Sequence, residues 1–159
     1  MELKIRRVVT GHDRQGRAVV SIDETAKNVT SWRAGQEQTV IWSTEGFPAD
    51  NTDDSDGSAR KVATSHPNGS VFRVVHYAPG VAPRNHRTDS IDYGVVISGE
   101  IDMELDDGLV VHLRAGDVLV QRGTIHNWVN KGTVPCVIAF VLLSARPFVI
   151  DGNKLDAVG

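Results

Sequence analysis

From Val71 onward the chain is a succession of short β-branched runs separated by glycine turns, which leaves little choice but an all-β fold. VFRVVHY, DYGVVI, IDMEL, LVVHL, DVLVQ and CVIAFVLL follow one another. Turn signals at Pro79-Gly80, Ser98-Gly99, Asp107-Gly108, Ala115-Gly116 and Arg122-Gly123 punctuate this stretch. In IDMEL, apolar Ile101, Met103 and Leu105 alternate with Asp102 and Glu104, as an antiparallel strand with one wet face requires. No helical period of useful length and no internal repeat competes with this pattern. Many short strands at close spacing predict a single-domain β-barrel or jelly roll.

The N-terminal part is organised differently. Val8–Val9 and Ala18–Ile22 predict short strands around the turn-rich GHDRQG, and TVIW, Thr39 to Trp42, predicts another. The segment from Ser43 to Arg60 is rich in Asp, Ser, Gly and Pro and has too little apolar surface to order itself. It is expected to be a solvated loop or a lid that Trp42 and Phe47 help to close. The expected organisation is therefore residues 1–70 as N-terminal strands and flexible acidic loop packed on a barrel, 71–150 as the barrel, and 151–159 as a tail.

With 159 residues, one domain with a real core is expected. A formal net charge of −3 gives no pull toward nucleic acid or an anionic membrane. The single cysteine, Cys136, sits in VPCVIAFVLL with no charged neighbour in sequence, which describes a buried thiol rather than a nucleophile. Neither a signal-peptide pattern nor an apolar run of membrane-spanning length is present, so a soluble, cytoplasmic protein is expected.

Two segments carry the chemistry. GVAPRNHRTDSIDYGVVISG, Gly80 to Gly99, contains His86 and Asp92; GDVLVQRGTIHNWVN, Gly116 to Asn130, contains His126. The hairpin IDMEL–LVVHL between them can bring the two histidines together inside one barrel. The pair of segments resembles the two motifs of the cupin superfamily. Gly80, His86, Thr88, Asp92 and Gly99 fall on the glycine, two-histidine, glutamate and glycine positions of its first motif. Gly116, Gly123, His126 and Asn130 match the second motif, with Gln121 where proline usually stands. The combination of HRTDSIDYGVV with QRGTIHNW is similar to a subgroup of small cupins found beside polyketide and aromatic-compound pathways, some of them labelled oxidoreductases.

The resemblance implies a conserved cupin barrel (double-stranded β-helix) that usually dimerises, here with IRRVV as a partner for the other subunit's sheet edge. It also implies a divalent metal on His86, Asp92 and His126. Two imidazoles and one carboxylate are the ligand set of a facial triad, which favours Fe(II) and also suits Zn, Mn or Ni. Thr88 and Asp92 depart from the family's histidine and glutamate, and cupins that lose a ligand often keep the barrel as a metal-free pocket. In that case Asp92 and His126 would serve as catalytic acid and base.

Alternation places Trp128 beside His126, Thr88 beside His86 and Gly94 beside Asp92, so Thr88 and Trp128 are expected to contact substrate and Gly94 to leave space next to the acid. Arg87 and Arg122 adjoin the motifs and are expected in salt bridges or as a carboxylate anchor. His76 shares a face of its strand with Phe72 and Val74, and whether that face points inward is open. Two functions follow. One is a metal-dependent cupin enzyme, of oxidoreductase, dioxygenase-like, lyase or isomerase type, acting on a small oxygenated, aromatic or polyketide-like molecule. The other is a non-catalytic small-molecule binder without metal.

Overall fold

Antiparallel pairing carries almost every element of the chain. The computed structural model describes residues 3–159. Its strands are β1 (Arg6–His12), β2 (Ala18–Thr25), β3 (Val29–Thr30), β4 (Gln36–Glu45), β5 (Gly69–Tyr77), β6 (Ser90–Ser98), β7 (Glu100–Glu104), β8 (Val110–Arg114), β9 (Val118–Arg122), β10 (Asn127–Val129), β11 (Cys136–Ser144), β12 (Val149–Ile150) and β13 (Asn153–Lys154). A six-stranded sheet in the order β3-β4-β5-β11-β6-β9 faces a three-stranded sheet β10-β7-β8, while β1-β2 and β12-β13 form separate hairpins. This is the expected all-β jelly roll. Among the described residues no helix is long and apolar enough to cross a membrane.

The core lies between the two sheets because alternation sends one set of side chains inward from each. Val71, Val75, Tyr77, Val96, Ile138, Phe140 and Leu142 come from the large sheet, and Ile101, Met103, Leu113 and Trp128 from the small one. Cys136 is part of this core, and burial pushes its thiol up to about 11, so it behaves as an apolar filler. A second cluster of Leu3, Ile41 and Val74 covers the outer face of the large sheet beneath the N-terminal segment. Gly99 shows why the turn between β6 and β7 needs glycine. Its φ is +74°, and a Cβ there would stand 2.3 Å from the Pro135 carbonyl oxygen.

The N-terminal region is more integral than its composition suggests. β4 is a full strand of the main sheet, paired with β5 from Gln36↔Tyr77 to Glu45↔Gly69. β1 pairs with β2 of its own chain rather than presenting a free strand on that side. The tail returns to the first motif, with Arg87 and Val158 exchanging backbone hydrogen bonds of 2.9 and 3.0 Å.

The acidic 43–60 segment is tied down by charge. Buried Arg7 binds Asp56 at 2.6 Å and Glu24 at 2.7 Å, and the Ser43 hydroxyl donates to the Gly57 carbonyl at 2.6 Å. Asp50, Asp53 and Asp56 each accept a backbone N–H two residues on, the local turn that this composition favours.

Candidate active site

His86 lies in the connection between β5 and β6, and His126 lies just before β10. They are joined as an isolated antiparallel bridge, with His86 N–H donating to His126 O at 3.0 Å and His126 N–H donating to His86 O at 2.9 Å. Residues paired in this way project their side chains to the same side. The imidazole centroids are accordingly 4.1 Å apart. Gly123, at φ +60°, lets the second motif approach the first; a Cβ there would be 3.3 Å from the Thr88 carbonyl oxygen.

Both histidines are buried, at 7% and 2% exposure. Each Nδ1–H donates to a backbone carbonyl two residues earlier, His86 to Arg84 at 3.2 Å and His126 to Thr124 at 3.0 Å. That choice of tautomer leaves the lone pair on Nε2, which has no hydrogen-bond partner among the described residues. Burial is the first cause that holds both rings neutral. His86 is pushed down to about 3, with His126, Arg84 and Arg33 adding to the effect, and His126 to about 4, with Arg84 and Arg33 contributing.

Asp92 faces the same cavity from β6 and is 5% exposed. Burial raises its carboxyl to about 6, against the opposing pull of the Ser90 hydrogen bond and of Arg73. The Ser90 hydroxyl sits between Asp92 Oδ1 at 2.5 Å and Thr88 Oγ1 at 2.8 Å, donating to the carboxylate when Asp92 is ionised. Gln121, opposite Asp92 on β9, also lines the cavity, and its buried Oε1 has no hydrogen-bond partner among the described residues.

The metal set implied by the motifs can be tested against these donors. The two imidazoles have the tautomer that a ligating histidine adopts, with the other nitrogen tied to a carbonyl. The third ligand is not assembled with them. Among the described residues, no three His, Cys, Asp or Glu side chains form a group that could hold an ion. Asp92 Oδ1 accepts a hydrogen bond from the Ser90 hydroxyl. His86 and His126 thus offer two ligand nitrogens, and Asp92, the third residue of the implied facial triad, lines the same cavity.

Other expected site residues are distributed unevenly. Trp128 is buried and lines the cavity, edge-on to His126 with centroids 5.8 Å apart and 5.7 Å from Phe140. Thr88 is buried but does not line this cavity; its hydroxyl faces Ser90. Trp42 and Phe47 are absent from it as well. A register shift between Val40 and Trp42 pairs Val40 with inward Arg73 but Trp42 with outward Phe72, turning the indole onto the outer face. There it packs against Gly57, while Phe47 is 55% exposed. The space expected beside Gly94 is occupied by the Phe140 ring, 3.2 Å from where a Cβ would be. His76 pairs across the sheet with Glu37 and Val137, on the face opposite Arg73 and Val75, and does not reach the cavity.

The arginines that matter are not the ones adjoining the motifs. Arg87 and Arg122 lie outside the cavity, whereas Arg33, Arg73 and Arg84 line it together with Trp32 and Tyr77. One signal was available in the sequence: Arg73 alternates with Val71, Val75 and Tyr77 along β5, a charge on an otherwise apolar face. Burial lowers Arg73 to about 10, so it stays charged at neutral pH. The cavity volume is about 50 Å³, room for a few water-sized groups.

Comparison with known proteins places this geometry in a group. A family model described as "Cupin domain" matches residues 73–142. The chain is 36% identical to the cupin-domain-containing oxidoreductase fogC of Aspergillus ruber, over 96% of this chain and 79% of that protein. It is 39% identical to phomopsin biosynthesis cluster protein C' of Diaporthe leptostromiformis, over 96% and 85%. The crystal structure of an RmlC-like cupin from Shewanella frigidimarina superposes with a TM-score of 0.50 at 15% identity, covering 75% of this chain and 85% of that one, a likeness of fold.

Proposed function

The chain belongs to the cupin superfamily, in its pathway-associated, oxidoreductase-like subgroup, and on that premise we propose that it is an oxidoreductase-type enzyme acting on a small oxygenated molecule. Its residues supply the proton transfers of the reaction. The observation that carries this reading is the pair of neutral, carbonyl-tethered imidazoles, centroids 4.1 Å apart, facing one cavity with an acid and three guanidiniums.

In this reading His126 Nε2 accepts a proton from a carbon next to a substrate carbonyl, and His86 holds the neighbouring position. Asp92, protonated up to about pH 6, donates toward the carbonyl oxygen. The positive field of Arg33, Arg73 and Arg84 across the cavity favours the negative charge that develops on that oxygen, in a site with little water to screen it. The enolate carbon then adds dioxygen, its electron pair forming the new C–O bond, and the resulting peroxide anion takes the proton held on His126 to give an α-hydroperoxy carbonyl product.

The test follows the proton and the electrons separately. Enolisable ketones and keto acids are incubated with the protein in D2O, hydrogen exchange is followed by NMR, and oxygen uptake is recorded in parallel. Exchange that is lost in His126→Ala, accompanied by uptake, is expected. Exchange without uptake would turn the reading toward an isomerase or lyase. Saturable tryptophan quenching with neither exchange nor uptake would make the protein a binder.

A further inference from the structure

Arg33, Arg73 and Arg84 present three guanidiniums to the active-site cavity, and neither Arg33 nor Arg73 is ion-paired among the described residues. Arg73, 3% exposed, is held by neutral oxygens alone. Its Nη1 donates to Gln38 Oε1 at 2.8 Å, and its Nη2 donates to the Ala63 and Thr64 carbonyls at 2.6 and 2.9 Å. Its Nε is buried without a partner, as are Nε and Nη2 of Arg33. Arg84 donates through Nη2 to Thr64 Oγ1 at 3.2 Å and to an oxygen of Gly159, the last residue described, at 2.6 Å, which leaves its other donors for the cavity.

Aromatic faces set the orientation of these groups. Arg73 and Arg84 lie 5.3 and 5.8 Å from the Trp32 ring centroid, and Arg33 lies 5.9 Å from that of Tyr77. A guanidinium stacked on a ring keeps its N–H edge free for a planar oxyanion. Three like charges gathered in one cavity repel each other, and buried N–H donors without acceptors cost stability. One ligand chemistry removes both penalties.

We propose that the cavity binds its substrate through a carboxylate, received by Arg33, Arg73 and Arg84, with the body of the substrate leaving past Trp32. The small cavity volume suits the carboxylate head, with the body of the substrate extending past Trp32, which is 47% exposed. This deepens the proposed function by naming the substrate class, and it rests on the cavity being the substrate site.

The test is isothermal titration calorimetry on the full chain, with benzoate and its uncharged isostere benzamide as probes. Benzoate is expected to bind at least about tenfold more tightly than benzamide, as charged hydrogen-bond partners differ from neutral ones. Arg33→Gln and Arg84→Gln should each weaken benzoate by about tenfold or more and weaken benzamide by less. Arg33 is the first choice because its Nε and Nη2 have no hydrogen-bond partner among the described residues. Melting curves of both variants confirm that they remain folded. Equal affinity for the two probes, or benzoate binding unaltered in both variants, overturns the proposal. Because calorimetry needs no turnover, arginine-dependent benzoate binding by a protein inactive in proton exchange would keep the carboxylate site and sink the acid–base reading.

Discussion

His86 and His126 come from segments about forty residues apart, yet each donates its backbone N–H to the other's carbonyl, at 3.0 and 2.9 Å. The pair is thus positioned by main-chain geometry and its tautomers by Nδ1 bonds to Arg84 and Thr124. Side-chain substitutions nearby should alter the electrostatics of the rings more readily than their placement.

Stability should fall as the protein is acidified. The folded values of His86 and His126, about 3 and 4, lie below the ordinary 6.5, so the unfolded chain takes up these protons first. Their contribution is complete above about pH 6.5 and is lost as pH drops from there. Asp92 acts in the opposite sense, since its folded value of about 6 lies above 3.8 and its protonation favours the fold across that window. A net loss on the order of 3 kcal/mol between pH 6.5 and 4 is expected from urea denaturation. Asp92→Asn should steepen the decline, and replacing both histidines with glutamine should flatten it.

The pH profile of turnover tests the assigned roles. With His126 as base and Asp92 as acid, kcat/KM should rise through about pH 4 and fall above about pH 6. Ser90→Ala removes a hydrogen bond that lowers the Asp92 value, so it should move the falling limb to higher pH. An unmoved limb would detach Asp92 from the acid role.

Metal content is a direct check on the donor set. With two nitrogens and no third His, Cys, Asp or Glu completing a group among the described residues, the protein grown with added iron, zinc, manganese and nickel should retain less than about a tenth of an equivalent after dialysis. Near-stoichiometric metal that disappears in His126→Ala would restore a metal-dependent site.

Arg7 should govern the acidic segment. Arg7→Ala leaves Asp56 and Glu24 without their guanidinium, at a cost of about 1–2 kcal/mol because both carboxylates are partly solvated. Limited proteolysis should then cut within residues 50–57 at least several times faster than in the wild-type chain. Unchanged cleavage would mean that local turns alone order the segment.

Much of the architecture follows from the sequence alone, because period-two alternation and glycine turns are local signals. They place β5 through β9 and β11 within a few residues, and the motif spacing brings His86 and His126 to one point. The short strand β10 and the pairings β3–β4 and β12–β13 carried no such signal, since two or three residues are too few to show a period. Trp42 illustrates the limit of alternation: one extra residue in β4 reverses its facing, and a bulge is decided by the partner strand.

Tertiary structure alone decided the character of the site. Asp92 was visible as an acid, but its raised value comes from burial. Arg33, Arg73 and Arg84 belong to three separate segments, and only the closing of β4 onto β5 and of the first motif onto the barrel makes them one cluster. Local composition determines which surfaces must be buried, whereas the convergence of charges from distant segments depends on how those surfaces are packed.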